Sequence, residues 1–406
     1  MWELSEAGRI DTLFVFRRSG TGHVVVGVLV FEGRGRVRRG RFQYAPSYLR
    51  DGGRWAIDPV SLQLGPRWRN ASPSEAPLAF HDSGPDGWGK SIVDRAYPDL
   101  ELGMAEYLAS RGGRRTGDLL YGPTPERPDT WRPTAEPSRG SAAEDDVGML
   151  LDAAMEAEEG TATADQLALL VPSSAVGGAR PKARVRVDGV DWIAKFPASS
   201  DRFDDPRMEA VCLDVAEAAG IAVPERRLLR LRRGTALLVR RFDRDERGGA
   251  LAYLSAGTLL RQGIDVYGTN QTYLDIALVG QRIGVPGTRE EMYRRYVVNS
   301  LLHNTDDHLR NHAFIGDAGG WRLSPAFDVV PHVGRQTHVC AAAPGIGHGR
   351  DPLGARHVHR RFGFDATIGE AVYERALTAF SRIREFMDAR EVTEGDRAFV
   401  LHRLGA

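Results

Sequence analysis

The sequence predicts an α+β fold whose strand-rich first half gives way to a mostly helical second half. Three observations carry this. Residues 12–45 read as strands, a glycine stretch at 173–182 leads into a hairpin, a helix and further strands, and helical periodicity dominates from about residue 250. The 406 residues allow two to four domains of roughly 100–200 residues each. Lys+Arg and Asp+Glu are both 54, which argues against a chain that coats nucleic acid or anionic membrane with bulk charge. Cys212 and Cys340 by themselves cannot build a disulfide framework or a four-ligand zinc site. No apolar run reaches the ~18 residues of a bilayer span. The polar, acidic start MWELSEAGRID lacks a signal-peptide core, so the expected location is cytoplasmic, away from membranes.

The elements follow in order. Thr12–Phe16, His23–Phe31 and Arg38–Tyr44 are rich in Val, Leu and Phe and are separated by glycine-containing turns. DSGPDGWGKSIVDRA (82–96) reads as a turn feeding a helix, with Ile92 and Val93 facing inward. Residues 122–146 are dominated by Pro, Ser, Gly and charge and read as a linker. This divides the chain into an N-terminal region 1–121, the linker 122–146, a middle region 147–243 and a helical region 244–406. In the middle region, 147–170 reads as a helix broken near Gly160. Residues 183–188 and 190–196 read as a hairpin turning at Asp188–Gly189. A helix over 207–219 is stopped by Gly220, and 225–232 and 236–242 are two more strands. The strongest later helices are 273–283, 289–303 and 367–386.

Only three basic residues are lysines: Lys90, Lys182 and Lys195. A coding bias toward Arg, Ala and Gly is the bland cause, and against it a remaining lysine can mark a position where a compact ammonium is needed and a planar guanidinium does not fit. SSAVGGARPK (173–182) ends in one of them. Gly177 and Gly178 would let the backbone approach a phosphate closely, and neighbouring N–H groups and hydroxyls, including those of Ser173 and Ser174, could donate to it. The stretch is neither G-x-x-x-x-G-K-[ST] nor G-x-G-x-x-G, and a plain Gly-Gly turn is the alternative. Lys195 lies on an apolar strand in WIAKFP, where protein kinases place a phosphate-holding lysine oriented by a helix glutamate. Glu209, on the following helix, is the candidate partner, and a solvent-facing helix charge is the alternative.

HNTDDHLRNH (303–312) follows the apolar helix MYRRYVVNSLL. Asp306 and Asn311 have the Asp-to-Asn interval of the kinase loop H-R-D-x-x-x-x-N, so Asp306 would take the hydroxyl proton and Asn311 would hold magnesium. SPAFD (324–328) places Asp328 after an aromatic, as a second hard-oxygen metal ligand. His303, His308, His312 and the histidine-bearing stretch 348–359 leave a metallohydrolase patch as an alternative, without the spacing of a known zinc set.

Together GGARPK (177–182), WIAKFP (192–197), LLVRRFDR (237–244), NTDDHLRN (304–311) and LSPAFD (323–328) resemble the HipA family of serine/threonine kinase toxins. DSGPDGWGK (82–90) is similar to that family's D-x-x-P-D-x-W-G motif. The likeness covers nearly the whole chain outside 122–146. It implies a two-lobed protein-kinase-like fold with an extra N-terminal α/β subdomain. It implies ATP and Mg²⁺ as cofactors, Asp306 as the base, His308 as a catalytic-loop residue, and Asn311 and Asp328 as metal ligands. Lys182, Lys195, Ser173, Ser174, Gly177 and Gly178 would lie at the phosphates, Arg240 and Phe242 at the adenine hinge, and Asp243 at the ribose. A serine before the glycines becomes autophosphorylated in the family, with Ser174 and then Ser173 as candidates here. The interval to the glycines is one residue longer than usual, Arg240 replaces a frequent acidic residue, and Lys90 replaces an arginine as a surface substitution. The implied partners are a small helix-turn-helix antitoxin (HipB-like), DNA through it, and a protein substrate such as an aminoacyl-tRNA synthetase. A silent corepressor subunit and a small-molecule kinase are the competing readings.

Overall fold

A computed structural model describes residues 10–19, 22–34, 37–51, 55–71, 75–110, 115–129, 146–173, 178, 180–262, 270–332, 340–347 and 350–405. The N-terminal subdomain is built on an antiparallel sheet of β1 (Thr12–Ser19), β2 (Gly22–Arg34), β3 (Val37–Tyr44), β4 (Arg69–Asn70) and β5 (Leu119–Gly122), in the order β4-β3-β2-β1-β5. Strand alternation buries Leu13, Val15, Leu29, Phe31, Phe42 and Tyr44. The register shifts between Val15 and Phe16, where β2 carries one extra residue, Val26, in a bulge, and Val26 is buried in the same core. Helices α1 (Pro46–Arg50), α2 (Leu78–His81), α3 (Gly87–Ala96) and α4 (Met104–Ala109) add Tyr48, Phe80, Val93 and Leu108 to that core.

The middle region begins with α5 (Val147–Glu159) and α6 (Ala164–Leu170). The expected break falls at Gly160, whose φ of 76° is the left-handed helix end that glycine adopts without a Cβ clash. A four-stranded antiparallel sheet follows: β6 (Lys182–Val187), β7 (Val190–Lys195), β8 (Arg226–Leu231) and β9 (Gly234–Arg240), in the order β6-β7-β9-β8. The β6–β7 hairpin turns at Asp188 and Gly189, both with positive φ, as a two-residue turn requires. Helix α7 (Asp205–Ala218) starts on the Asp204 cap with Pro206 in its first turn and packs on β9. Trp88 and Ile92 of α3 sit in this region's core with Leu170, Val185 and Trp192, so the N-terminal subdomain plugs into the sheet lobe.

The second half is not helical throughout. β10 (Ala252–Ser255), β11 (Ala313–Asp317) and β12 (Gly320–Leu323) form a three-stranded antiparallel sheet that the sequence reading lacks. The remaining helices are α8 (Ala256–Leu259), α9 (Tyr273–Arg282), α10 (Thr288–Leu301), α11 (Pro352–Ala355), α12 (Ala366–Ser381), α13 (Ile383–Ala389) and α14 (Glu394–Leu404). The expected helix 367–386 is two helices, parted at Arg382. Helix α10 is the axis of this lobe. It packs on α9 and α12 and buries Tyr293, Tyr296, Val297 and Leu301. Its last turn delivers the chain to residues 303–312. No helix among the described residues is long and apolar enough to cross a membrane.

Candidate active site

Lys182 and Lys195 are directly opposite each other in the β6–β7 register. Lys195 Nζ donates to Glu209 Oε1 at 2.6 Å and to Asp328 Oδ1 at 2.7 Å. Thus the strand lysine, the helix glutamate and the aspartate of SPAFD meet in one ion cluster. The Asp328 N–H also donates to Glu209 Oε1, at 3.1 Å. Asp328 adopts a φ of 59°, a left-handed conformation that aspartate tolerates better than most residues. Its two bonds to the Lys195–Glu209 pair hold it there. Burial alone would lower the Lys195 pKa, but Asp328 and Glu209 outweigh it and raise it. Burial would raise that of Asp328, but Lys195 and Lys182 hold it well below the usual carboxylate range. Burial lowers the pKa of Lys182, and Asp328 offsets part of this.

These residues share a cleft with Asp306 and Asn311. Asp306 is half-buried, and its carboxylate has no hydrogen-bond partner among the described residues. The Asn311 Nδ2 donates to the Asp306 carbonyl at 3.2 Å, which fixes the amide and leaves its Oδ1 as a ligand oxygen. His308 caps the short 3₁₀ turn Leu309–Asn311 through Nδ1, which accepts the Arg310 N–H at 3.3 Å. Gly178 has a φ of 102°, a conformation that glycine adopts without strain, and lies beside the flexible end of Lys182. Ser174 and Gly177 lie outside the described residues.

Two cleft residues were missed by sequence reasoning. Arg180 pairs with Asp201 at 2.5 Å and with Asp205 at 3.2 Å. Burial raises the Asp205 carboxyl to about 7 although Arg180 opposes it. Arg180 stands inside the quoted GGARPK, and the available signal for Asp205 was the Asp-Asp-Pro helix start. The second aspartate of the pair in NTDDHLRN has a different fate. Asp307 accepts from Tyr273 Oη, from Asn299 Nδ2 at 3.2 Å and from Arg350 Nη2 at 3.2 Å, with His312 Nε2 also at 3.2 Å. Burial would raise its pKa, but His312 and Arg350 outweigh it and lower it.

Three expectations need correction. Asp243 cannot reach a ribose as placed. It is 5% exposed, paired with Arg241 at 2.7 Å and with Arg244 at 3.2 Å, and accepts the Gly117 N–H at 2.9 Å. It ties the N-terminal subdomain to the end of β9 instead. Ser173 is fully buried and its hydroxyl donates to the Leu170 carbonyl at 3.0 Å, so it closes α6 and offers nothing to a phosphate. Lys90 is half-buried, with its ammonium 5.1 Å from the Tyr107 ring centroid, not a bare surface substitution. At the expected hinge, Arg240 is exposed and pairs with Glu225 at 3.2 Å, and its N–H already donates to the Glu225 carbonyl. Phe242 packs on Phe327 of SPAFD at 5.3 Å between ring centroids. His308 and His312 point to different tasks, and no group of three or more His, Cys, Asp or Glu that could hold a metal forms among the described residues.

The donor set fits a nucleotide and magnesium in kind. Magnesium takes one or two protein oxygens and fills its remaining positions with water and phosphate oxygens. Asn311 and Asp328 are such oxygens, and Lys182 and Lys195 supply cations for phosphate.

The two lobes and this cleft define a protein-kinase-like fold. Residues 174–386 match the HipA-like C-terminal domain family, just over half of the chain. The chain belongs to the HipA family. Its fold is similar along the whole length to HipA of Shewanella oneidensis MR-1, solved with HipB and its operator DNA. That match has a TM-score of 0.69 and 16% identity, over 97% of this chain and 95% of that one. The Helicobacter pylori proinflammatory kinase CtkA superposes far more loosely, at a TM-score of 0.38 and 13% identity over 57% of this chain and 88% of that one. No curated protein matches the chain.

Proposed function

We propose that the chain is an ATP- and Mg²⁺-dependent serine/threonine protein kinase acting as the toxin of a toxin–antitoxin module. The observation that carries this reading is the Lys195–Glu209–Asp328 ion cluster sharing one cleft with Asp306 and Asn311. Glu209 holds the Lys195 ammonium at a fixed place, where it would bind nucleotide phosphates. Asp328 and Asn311 would hold Mg²⁺, which neutralises charge on the transferring phosphoryl group. The Asp306 carboxylate, without a hydrogen-bond partner among the described residues, would accept the proton of an acceptor hydroxyl.

HipA-family membership supports a protein acceptor in translation, such as an aminoacyl-tRNA synthetase. It also supports a HipB-like helix-turn-helix antitoxin as the partner, with DNA reached through it. Ser174 is the proposed autophosphorylation site, since the Ser173 hydroxyl is committed to Leu170. A phosphate of about −1.5 to −2 charge on Ser174 would repel the nucleotide phosphates and switch the enzyme off.

The test is incubation of the purified chain with γ-labelled Mg–ATP, with purified synthetases and with a panel of small hydroxyl compounds, followed by phosphosite mapping. The reading expects label on serine or threonine of a protein, lost in Asp306→Ala. Nucleotide binding without transfer to any acceptor would make the chain a silent corepressor subunit. Transfer to a small molecule alone would make it a kinase of another class.

A further inference from the structure

The segment Asp82–Trp88, from the motif DSGPDGWGK, has no part in the chemistry above, yet it touches both sides of the cleft. At its start, the Asp82 carboxylate accepts the Ser255 N–H at 2.7 Å, at the junction of β10 and α8. In its middle, the Asp86 side chain caps α3 by accepting the Gly87 N–H at 2.8 Å. The same carboxylate pairs with Arg310 at 2.7 Å, and the two side chains are only 22% and 19% exposed. Arg310 lies between Asp306 and Asn311 and belongs to the 3₁₀ turn that presents Asn311. At the segment's end, the Trp88 N–H donates to the Gly178 carbonyl at 3.2 Å. The first-turn N–H groups of a helix have no partner within it, so this bond gives α3 a reason to hold the glycine loop. The Trp88 ring is meanwhile fixed in the core of the sheet lobe.

This segment of the N-terminal subdomain therefore bonds the catalytic loop through Asp86 and Gly178 through Trp88. We propose that this segment is a strut setting the position of the catalytic loop relative to the phosphate-side loop, with Asp86 as a positioning residue. The inference rests on the kinase reading for its effect on rate, but not for its effect on structure. An ion pair at a solvated surface contributes little. Here both ends are anchored: Asp86 by the α3 terminus, Arg310 by the turn it belongs to. Breaking the pair frees the loop without unfolding either element.

Asp86→Asn separates the two duties of this side chain, because asparagine caps a helix as well as aspartate does but carries no charge for Arg310. Phosphotransfer kinetics should show kcat down about tenfold, the order set by one charge-assisted hydrogen bond, with the KM for ATP and the melting temperature nearly unchanged. The reversed pair Asp86→Arg with Arg310→Asp should recover part of the loss that either single change causes. Hydrogen exchange gives a readout independent of activity. In Asp86→Asn, amides of both 305–312 and 180–187 should exchange faster, while β1–β3 stay unchanged. Loosening of 305–312 alone, a kcat loss with no change in exchange, or a uniform rise with a fallen melting temperature would each overturn the strut. If the wild type transfers no phosphate, the kinase reading fails, and the exchange comparison still decides the coupling.

Discussion

The cleft and the network directly behind it are both built around aspartates and behave oppositely. Behind the cleft, Asp307 is surrounded by Arg350, His312, Asn299 and Tyr273, and the Asp307, Arg350 and His312 side chains are at most 3% exposed. Its carboxylate is saturated by neighbouring donors. In the cleft, Asp328 keeps 35% of its side chain exposed although Lys195 holds one oxygen, and the Asp306 carboxylate has no partner among the described residues. A saturated charge cluster holds shape, whereas an unsaturated one has valence left for a ligand. Two adjacent aspartates thus divide structure and chemistry between them.

That division predicts two opposite phenotypes for the same substitution. Asp306→Ala should lower phosphotransfer by about 10²–10⁴-fold, the range for a positioned acid–base group, while the melting temperature barely moves. Asp307→Ala should instead destabilise the fold by roughly 3–5 kcal/mol, because it leaves the Arg350 guanidinium buried without its carboxylate. Parallel melting and label-transfer measurements on the two variants check this. Equal stability of the two would mean that the buried network has no structural role. Full transfer by Asp306→Ala would move the base elsewhere.

The same contrast marks how far the sequence could be read. The Lys195, Glu209, Asp306, Asn311 and Asp328 positions were legible because kinase-like chemistry fixes residue type and interval, and the Asp188–Gly189 hairpin because its turn requires positive φ. The choice of Asp306 over Asp307 came from the interval to Asn311. The partners that bury Asp307 come from residues 273, 299 and 350, and no local pattern announces such a meeting. The ribose role of Asp243 came from the family resemblance alone, and no local pattern announces that the fold buries it with Arg241 beside Gly117. Strands β10 to β12 were missed because each spans only four or five residues, too short for alternation to stand out among helices.

The lysine argument sharpens the comparison from the cleft side. In the closed network, Arg350 spreads its guanidinium over the Asn304 and Cys340 carbonyls as well as Asp307. In the cleft, a single ammonium bridges Glu209 and Asp328 at 2.6 and 2.7 Å. Lys195→Arg keeps the charge, but a planar fork cannot occupy the point between two carboxylates. The expected cost is about tenfold in transfer, equivalent to one hydrogen bond to a charged group, with a weaker affinity for a Mg²⁺–nucleotide analogue. An unchanged titration with the analogue would reduce the scarcity of lysine to codon bias.

The last contrast separates the two regions by the sign of a pH slope. Asp307 has a lowered pKa in the folded chain, so its contribution is complete above the unfolded value near 3.8 and is lost as pH falls below it. Asp205, at the cleft beside Arg180, is raised by burial to about 7. Between about 4 and 7 the folded state therefore binds more protons at this site than the unfolded chain does. Stability must then fall as pH rises through that window, by up to about 1.4 kcal/mol for every pH unit crossed. Asparagine cannot ionise, so Asp205→Asn should remove this part of the slope and leave the variant at least as stable as the wild type at pH 8, despite losing the Arg180 pair. Urea midpoints at intervals from pH 4.5 to 8 measure it. Parallel curves for variant and wild type would mean that Arg180 keeps Asp205 ionised throughout and that this carboxylate adds nothing to the slope in that window.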